Sequence, residues 1–332
     1  IRANLQVSAF DPNQDSLSIN GAVSLVKDKA QVQYDGIVAT KAPFDAQGQV
    51  KVILDNGVPN VMAQKISLEG LLTASEDKIA VNDLIGFLGS SRASGKFSIS
   101  NFKQKNPVNV FADLKFNQVI DLSGLKKSAN KANNRSTISS SNSTEKNAPS
   151  KKEKSFVPSS LTFPMAVDAQ ITLDAPSVKM NNKTFDGVFL SVVKKASKTT
   201  ITAKALGLPG QGKVEGRIDA SFGSSSVSLK SGAVTYADPS VSFVAEGNIG
   251  QIDKALSVFA PNVDKKTAGM FKTAQFDLKG TVSPTSVSLK DSVLKLDQTS
   301  IGLGGRYTPS TNGGRDKAVI DLSVGDIDVD RL

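Results

Sequence analysis

Cysteine, histidine and tryptophan are all absent from the 332-residue chain. Without imidazole or thiolate, the Ser-His-Asp triad, the Cys-His nucleophile and the usual zinc ligand sets cannot be built. Any catalysis would fall to carboxylates, Lys, Arg or the three tyrosines, Tyr34, Tyr236 and Tyr307. The missing cysteines also exclude a disulfide framework, which fits a reducing compartment or a bacterial periplasmic protein that needs no cross-links. No metal and no cofactor is expected.

No stretch of eighteen or more apolar residues is present, so no segment reads as a membrane-spanning helix. A leader is missing as well: Ile1 opens directly into a strand-like "ANLQVSAF", and the expectation is a piece cut from a longer protein. Charge is plentiful but unevenly placed. Of the net +9, six units lie between Lys126 and Lys154, where eight Lys/Arg face Glu145 and Glu153. A nucleic-acid surface needs basic residues on a folded face with interleaved aromatics. This tract is Ser, Asn and Lys with too little apolar matter to pack, so it reads as a solvated linker. Weak attraction to anionic headgroups is the lesser alternative. Three segments follow: a β-rich segment 1–125, a basic linker 126–157, and a β-rich segment 158–332.

Period-two alternation fills both outer segments. In "KVEGRIDASF", Val214, Gly216, Ile218, Ala220 and Phe222 fall on one face, and Lys213, Glu215, Arg217, Asp219 and Ser221 on the other. A second run takes in Leu161, Phe163, Met165, Val167, Ala169, Ile171 and Leu173; Val241, Phe243 and Ala245 alternate likewise, as do Phe276, Leu278 and Val282. Strands greasy on one side imply antiparallel sheet rather than the doubly buried strands of a parallel α/β core. Asp55-Asn56-Gly57, Asp186-Gly187, Pro209-Gly210 and Asn312-Gly313-Gly314 read as turns between them. Helix signals are few: Ile252, Ala255, Leu256 and Phe259 share a helical face ahead of Pro261, and Leu84 to Leu88 is a weaker candidate. The fold class expected is mainly β, with one or two short helices and an apolar sheet face that needs a second sheet, a partner or a ligand over it.

The chain also repeats itself. "DLKFNQVIDLSGL" (Asp113 to Leu125) returns as "DLSVGDIDVDRL" (Asp321 to Leu332) at an offset of 208. "ISLEG" (Ile66 to Gly70) matches "FDLKG" (Phe276 to Gly280) at 210, "IAVND" (Ile79 to Asp83) matches "VSLKD" (Val287 to Asp291) at 208, and "GKF" (Gly95 to Phe97) matches "GRY" (Gly305 to Tyr307) at 210. Ordered matches at nearly constant offset predict a duplicated strand-hairpin unit. "LSING" at Leu17 to Gly21 is a candidate opening of a further, degenerate copy.

The order "FDLKGTV…VSLKDSVLKL…GGRY…AVIDLSVGDIDVDRL", preceded by "TITAKALGLPGQGKVEGRIDASF", resembles the C-terminal β-rich region of AsmA-like proteins. The likeness covers about Ser160 to Leu332 well and Leu17 to Leu125 more loosely, and none of its pieces is a catalytic signature. It implies a bacterial envelope protein, tethered to the inner membrane by a helix outside this chain and extending through the periplasm as a long curled sheet. It further implies kinship with TamB-like bridge-like lipid-transfer proteins, whose apolar groove carries phospholipid toward the outer membrane, with envelope proteins as possible partners and no nucleic acid.

A lipid conduit needs an unbroken apolar lining, because sheltering acyl carbons is worth about 0.8 kcal/mol per methylene. Ile218, Phe222, Phe243, Leu278, Leu289, Leu296, Leu303 and Leu322 are the candidate lipid-facing residues. Alternation alone favours placing them in the dry core of a closed sandwich; the resemblance turns the preference to the lipid-facing groove. Asp326, Asp328 and Asp330 share a strand face, but parallel side chains on a strand do not converge as calcium ligands do, so a solvated outer face is expected. A sugar lyase working with Asp, Lys and Arg would want exposed stacking aromatics, which are scarce here. Asn134, Asn142 and Asn182 sit in Asn-x-Ser/Thr motifs. They matter only in a glycosylating pathway and keep open an extracellular adhesive β-domain that binds protein instead of lipid.

Overall fold

The computed structural model describes residues 2–325 except 12, 14, 26–29, 56–63, 104–106, 123–159, 164–165, 181–182, 229–232, 260–269 and 311–314. The basic linker, the three Asn-x-Ser/Thr sites and the Asp326, Asp328 and Asp330 strand lie outside the described residues. The first half consists of β1 (Arg2–Asp11), β2 (Ser16–Leu25), β3 (Ala30–Ala39), β4 (Ala46–Leu54), β5 (Ile66–Ala74), β6 (Lys78–Leu88), β7 (Ser91–Ser100), β8 (Val108–Phe116) and the short β9 (Ile120–Asp121). The second half comprises β10 (Ser160–Phe163), β11 (Val167–Met180), β12 (Lys183–Lys195), β13 (Lys198–Leu208), β14 (Gly212–Val227), β15 (Val234–Ile249), α1 (Ile252–Phe259), β16 (Ala274–Ser283), β17 (Ser286–Leu296), β18 (Thr299–Thr308) and β19 (Lys317–Val324).

All nineteen strands belong to one open sheet. From β1 to β8, and again from β11 to β19, each strand pairs antiparallel with the next. The halves meet where β11 lies parallel to β8, from Val108↔Val167 to Lys115↔Asp174, and β9 continues that junction. A parallel pair needs a long crossover between its strands, and the segment between β9 and β10 supplies the length.

Three sequence expectations change. Leu84 to Leu88 is strand, the end of β6, not helix. Asp186-Gly187 is no turn: it sits inside β12, where Gly187 takes φ +56°. The alternating run from Leu161 to Leu173 is two strands, β10 and β11, with different neighbours. The helix at Ile252 is present as α1. Its Ile252 and Ala255 are buried against the β13–β14 turn, where a Cβ on Gly210 would stand 2.5 Å from the carbonyl oxygen of Gln251.

The sheet curls. In a flat sheet β10, beyond β15, would lie five strand spacings from β11, about 24 Å. Residues 164–166 join Phe163 to Val167, and four residue steps span at most about 14 Å. β14 and β15 therefore extend and bend back over β11 and β12. There Lys194 Nζ donates to the carbonyl of Val167 at 2.6 Å and sits 4.9 Å from the ring centre of Tyr236, whose ring packs 5.3 Å from that of Phe222 at a tilt of 41°.

The duplication appears in the register. β5–β8 and β16–β19 share their cross-strand register at a constant offset of 208. Ile66↔Leu88 becomes Ala274↔Leu296, Val81↔Phe97 becomes Leu289↔Gly305, and Leu114↔Gly95 becomes Leu322↔Leu303. Both β-bulges coincide, each with an aspartate of φ +50° at its centre, Asp83 and Asp291. The matches at 210 are thus displaced by two residues along the strand, which keeps the face but not the partner. "LSING" falls in β2 of the same continuous meander.

Candidate functional site

Cross-strand pairing keeps a side chain on its face, so register decides which residues share a surface. One row of partners crosses the sheet without a break: Ile19, Gly36, Gly48, Leu72, Val81, Phe97, Ala112, Ile171, Val192, Ile201, Ile218, Phe243, Gly280, Leu289, Gly305 and Ile320. None of these sixteen residues is polar. Fifteen strand spacings make the stripe about 70 Å long. The row one residue away, on the other face, runs through Lys96, Asp113, Thr172, Ser191, Thr202, Arg217, Val244 and Lys279.

All eight candidate residues lie on the apolar face. Ile218, Phe243 and Leu289 are in the stripe itself. Leu278 pairs with Ala245, and Leu303 with Leu322, in the row beside it; Leu296 and Phe222 stand further out along β17 and β14. No second sheet packs on this face among the described residues, which removes the closed-sandwich alternative. Consequently its aliphatics are only partly covered: Ile218 is 41% exposed and Leu322 63%. The curl is toward this face, because Phe222 and Lys194, which both meet Tyr236, project from it.

The apolar face is densest at the junction of the halves. Ala93, Phe116, Ile120 and Ala175 are buried there, with Leu88, Leu114, Leu173 and Val178 against them. Further along, the stripe is floored by glycine. A Cβ at Gly280 would come within 2.6 Å of the Phe243 ring and 2.5 Å of the Ser288 carbonyl oxygen, so the tip of the phenyl occupies the space that a side chain at 280 would need. Where the bulge interrupts the β16–β17 ladder, Ser292, 1% exposed, repairs it. Its Oγ accepts from Lys279 N–H at 2.9 Å and donates to Lys279 O at 3.1 Å.

The polar face carries cross-strand ion pairs, Lys51–Glu69 at 3.3 Å and Lys204–Glu215 at 3.6 Å. Arg217 Nε donates to Asp219 Oδ2 at 2.7 Å, and this bond, with a second from Thr200, holds the Asp219 carboxyl below the usual range. The recesses on this side, such as the one walled by Asn20, Gln33, Asp35, Gln49, Lys51 and Glu69, are shallow troughs between such pairs. Among the described residues no cluster of three acidic side chains is arranged to hold a metal ion. No helix of the described chain is long and apolar enough to cross a membrane.

Sequence reasoning missed the Lys194–Tyr236–Phe222 contact, since nothing local announces that strands three apart will touch. The weak signal was Asp238-Pro239 inside a strand pattern, where Asp238 takes φ +55° and redirects β15. Comparisons of the chain with protein-family models, with curated proteins and with solved structures found no match.

Proposed function

We propose that the chain is a non-enzymatic, periplasmic segment of an AsmA-like protein that holds or conducts phospholipid acyl chains along its apolar face, in support of lipid homeostasis or outer-membrane assembly. The observation that carries this reading is the unbroken apolar row of about 70 Å on a sheet that curls toward it. Exposed apolar patches of that extent mark interaction surfaces, because water contact along them is costly. A row of aliphatic side chains and glycines with two phenylalanines, Phe97 and Phe243, offers continuous shelter without a deep trap, which suits passage better than storage. The resemblance to AsmA-like proteins supplies the setting of the proposal, the space between inner and outer membrane.

The test is mass spectrometry of organic extracts from the intact chain, purified without detergent beside a control protein of similar size and charge. Stoichiometric phospholipid is the expected result. A lipid-free, stable monomer would overturn the reading and favour a structural or adhesive β-domain.

A further inference from the structure

We propose that the polar face carries a second binding site, a trough along β3 and β4 that takes a linear, uncharged oligosaccharide. This site stands apart from the lipid reading, because its side chains project from the opposite face of the sheet. Two short, similar stretches build it: Ala30-Gln31-Val32-Gln33 opens β3, and Ala46-Gln47-Gly48-Gln49 opens β4. The strands are antiparallel, so the two pairs of glutamines do not lie side by side but follow one another along the strands. Gln31 is opposite Ile53, Gln33 opposite Lys51, Gln49 opposite Asp35, and Gln47 opposite Ile37. Each successive row on this face therefore carries a glutamine, and Asn20 adds a second amide to the row of Asp35 and Gln49. Rows on one face are two residues apart, about 6.8 Å, so the line of amides is roughly 20 Å long.

Two recesses of about 800 and 760 Å³ lie along this line and run together at Asp35, Gln49 and Leu71. Among the described residues, the side chains of Asn20, Gln33, Asp35, Gln47 and Gln49 make no hydrogen bond or ion pair with the rest of the chain. Each amide thus presents a free donor and a free acceptor. Between them Ile37, 51% exposed, and Leu71 offer aliphatic surface. Donor-acceptor groups interspersed with small apolar patches match a sugar chain, whose hydroxyls take both roles and whose ring faces are C–H. Tyr34 projects from the other face, so the trough has no aromatic platform, and hydrogen bonds must carry an affinity that rises with each sugar added. The second half of the sheet supplies the comparison. β15 stands beside β16 as β4 stands beside β5, and β14 corresponds to β3. The row Asn20, Asp35, Gln49, Leu71 becomes Thr202, Arg217, Val244, Lys279, and the row Gln33, Lys51, Glu69 becomes Glu215, Glu246, Asp277. None of these counterparts is an amide, and charges there pair with one another, Lys204 with Glu215 and Arg217 with Asp219. Sheet geometry therefore does not demand the amide line. Unpaired Asp35 at its centre disfavours an acidic polymer. A peptide gains most from backbone pairing at a sheet edge, whereas β3 and β4 are paired on both sides and offer side chains only.

The test is calorimetric titration of the intact chain with cellotetraose, maltotetraose and tetra-N-acetylchitotetraose, each beside its disaccharide. Saturable binding of at least one tetrasaccharide is expected, tighter than that of its disaccharide. Gln33→Ala and Gln49→Ala should each weaken it about fivefold, the net effect of losing one hydrogen-bonding side chain, while the circular dichroism stays that of the parent, because both side chains face solvent. Thr202→Ala, in the matching row of the second half, should leave binding unchanged. So should Phe243→Asp on the apolar face, which separates loss of sugar binding from loss of lipid binding. Failure of all three tetrasaccharides to bind would overturn the proposal, as would equal losses in Thr202→Ala and Gln49→Ala. Equal binding of an uncharged peptide of Ser and Thr would overturn it too, by identifying a peptide site instead.

Discussion

Phe243 and Val244 are neighbours in β15 that point to opposite faces, and an aspartate at each separates a lipid-binding face from a merely sticky protein. Phe243 lies in the apolar row between Ile218 and Gly280; Val244 lies between Arg217 and Lys279 and is 41% exposed. An acyl chain crossing one strand spacing of roughly 4.8 Å lays down about three methylenes against that strand. Losing their shelter costs on the order of 2–3 kcal/mol, roughly fiftyfold in Kd. A carboxylate held against the chain adds to that loss, because it must keep its own water. Phe243→Asp should therefore weaken binding of a fluorescent long-chain acyl probe about fiftyfold. Val244→Asp, its carboxylate beside two cations, should leave binding within a factor of about two. Equilibrium titration measures both, with far-ultraviolet circular dichroism as the check on folding. Equal affinities for the two variants would refute the assignment of faces to functions, and the absence of probe binding by the parent chain would refute the function itself.

Four further outcomes follow from the same geometry. Ser292→Ala should cost about 1–2 kcal/mol in denaturant unfolding, because it removes both part-buried hydrogen bonds between the Ser292 hydroxyl and the Lys279 backbone at the bulge; a loss near zero would mean that the bulge repairs itself. Asp83→Val and Asp291→Val should each destabilise by roughly 1–3 kcal/mol, since a β-branched residue cannot comfortably hold φ near +50°, and similar penalties in the two units would confirm their equivalence in solution. The Tyr307 hydroxyl donates to Asp316 Oδ2 at 2.7 Å, and that bond, followed by burial and the Asp316 charge, raises its pKa. The contribution of this contact is complete below the ordinary tyrosine value of about 10 and is lost as pH rises through the raised one; Tyr34 is raised as well, by burial and then by the Asp35 charge, so phenolate absorbance should show two late-titrating tyrosines, of which Tyr307→Phe removes one. Asp219 behaves oppositely: its folded pKa is depressed, so its contribution is present above the ordinary carboxylate range and fades as pH falls through the lowered value. Because the pair is exposed, Asp219→Asn should flatten the acid limb of the stability profile only slightly.

Much of the sheet was legible because alternation is a local property that pairing preserves. Once Val214, Gly216, Ile218, Ala220 and Phe222 share a face, the antiparallel partners that meet them must share it too, which is why eight residues chosen strand by strand fall on one surface. The misreadings arose where a residue breaks the period. After the Asp83 bulge, Leu84, Ile85, Phe87 and Leu88 crowd together without alternating, so the run imitates a helix; in β6 they alternate faces, with Leu84 buried and Phe87 exposed. Gly187 misled in the other direction, a turn-like residue absorbed inside a strand. The parallel β8–β11 junction and the curl that brings Tyr236 to Lys194 are long-range, and no local pattern encodes which strand ends will meet.

The apolar face and the packing of the sheet depend on the same place, the junction between the halves. Two meanders joined at random would offset their apolar faces, since a slip of one residue exchanges them. The parallel pairing of β8 with β11 instead sets Ala112 opposite Ile171 and Leu114 opposite Leu173, and the apolar row passes from one half to the other without a polar residue. Burial is also greatest there, around Phe116, Ile120 and Ala175, so the contact that joins the halves is the one that fixes their register. A point substitution that forced a slip at this place, such as Ala112→Asp, would break the stripe at its middle and disturb the best-packed part of the sheet. Continuity of the face and cohesion of the two halves thus rest on the same residues.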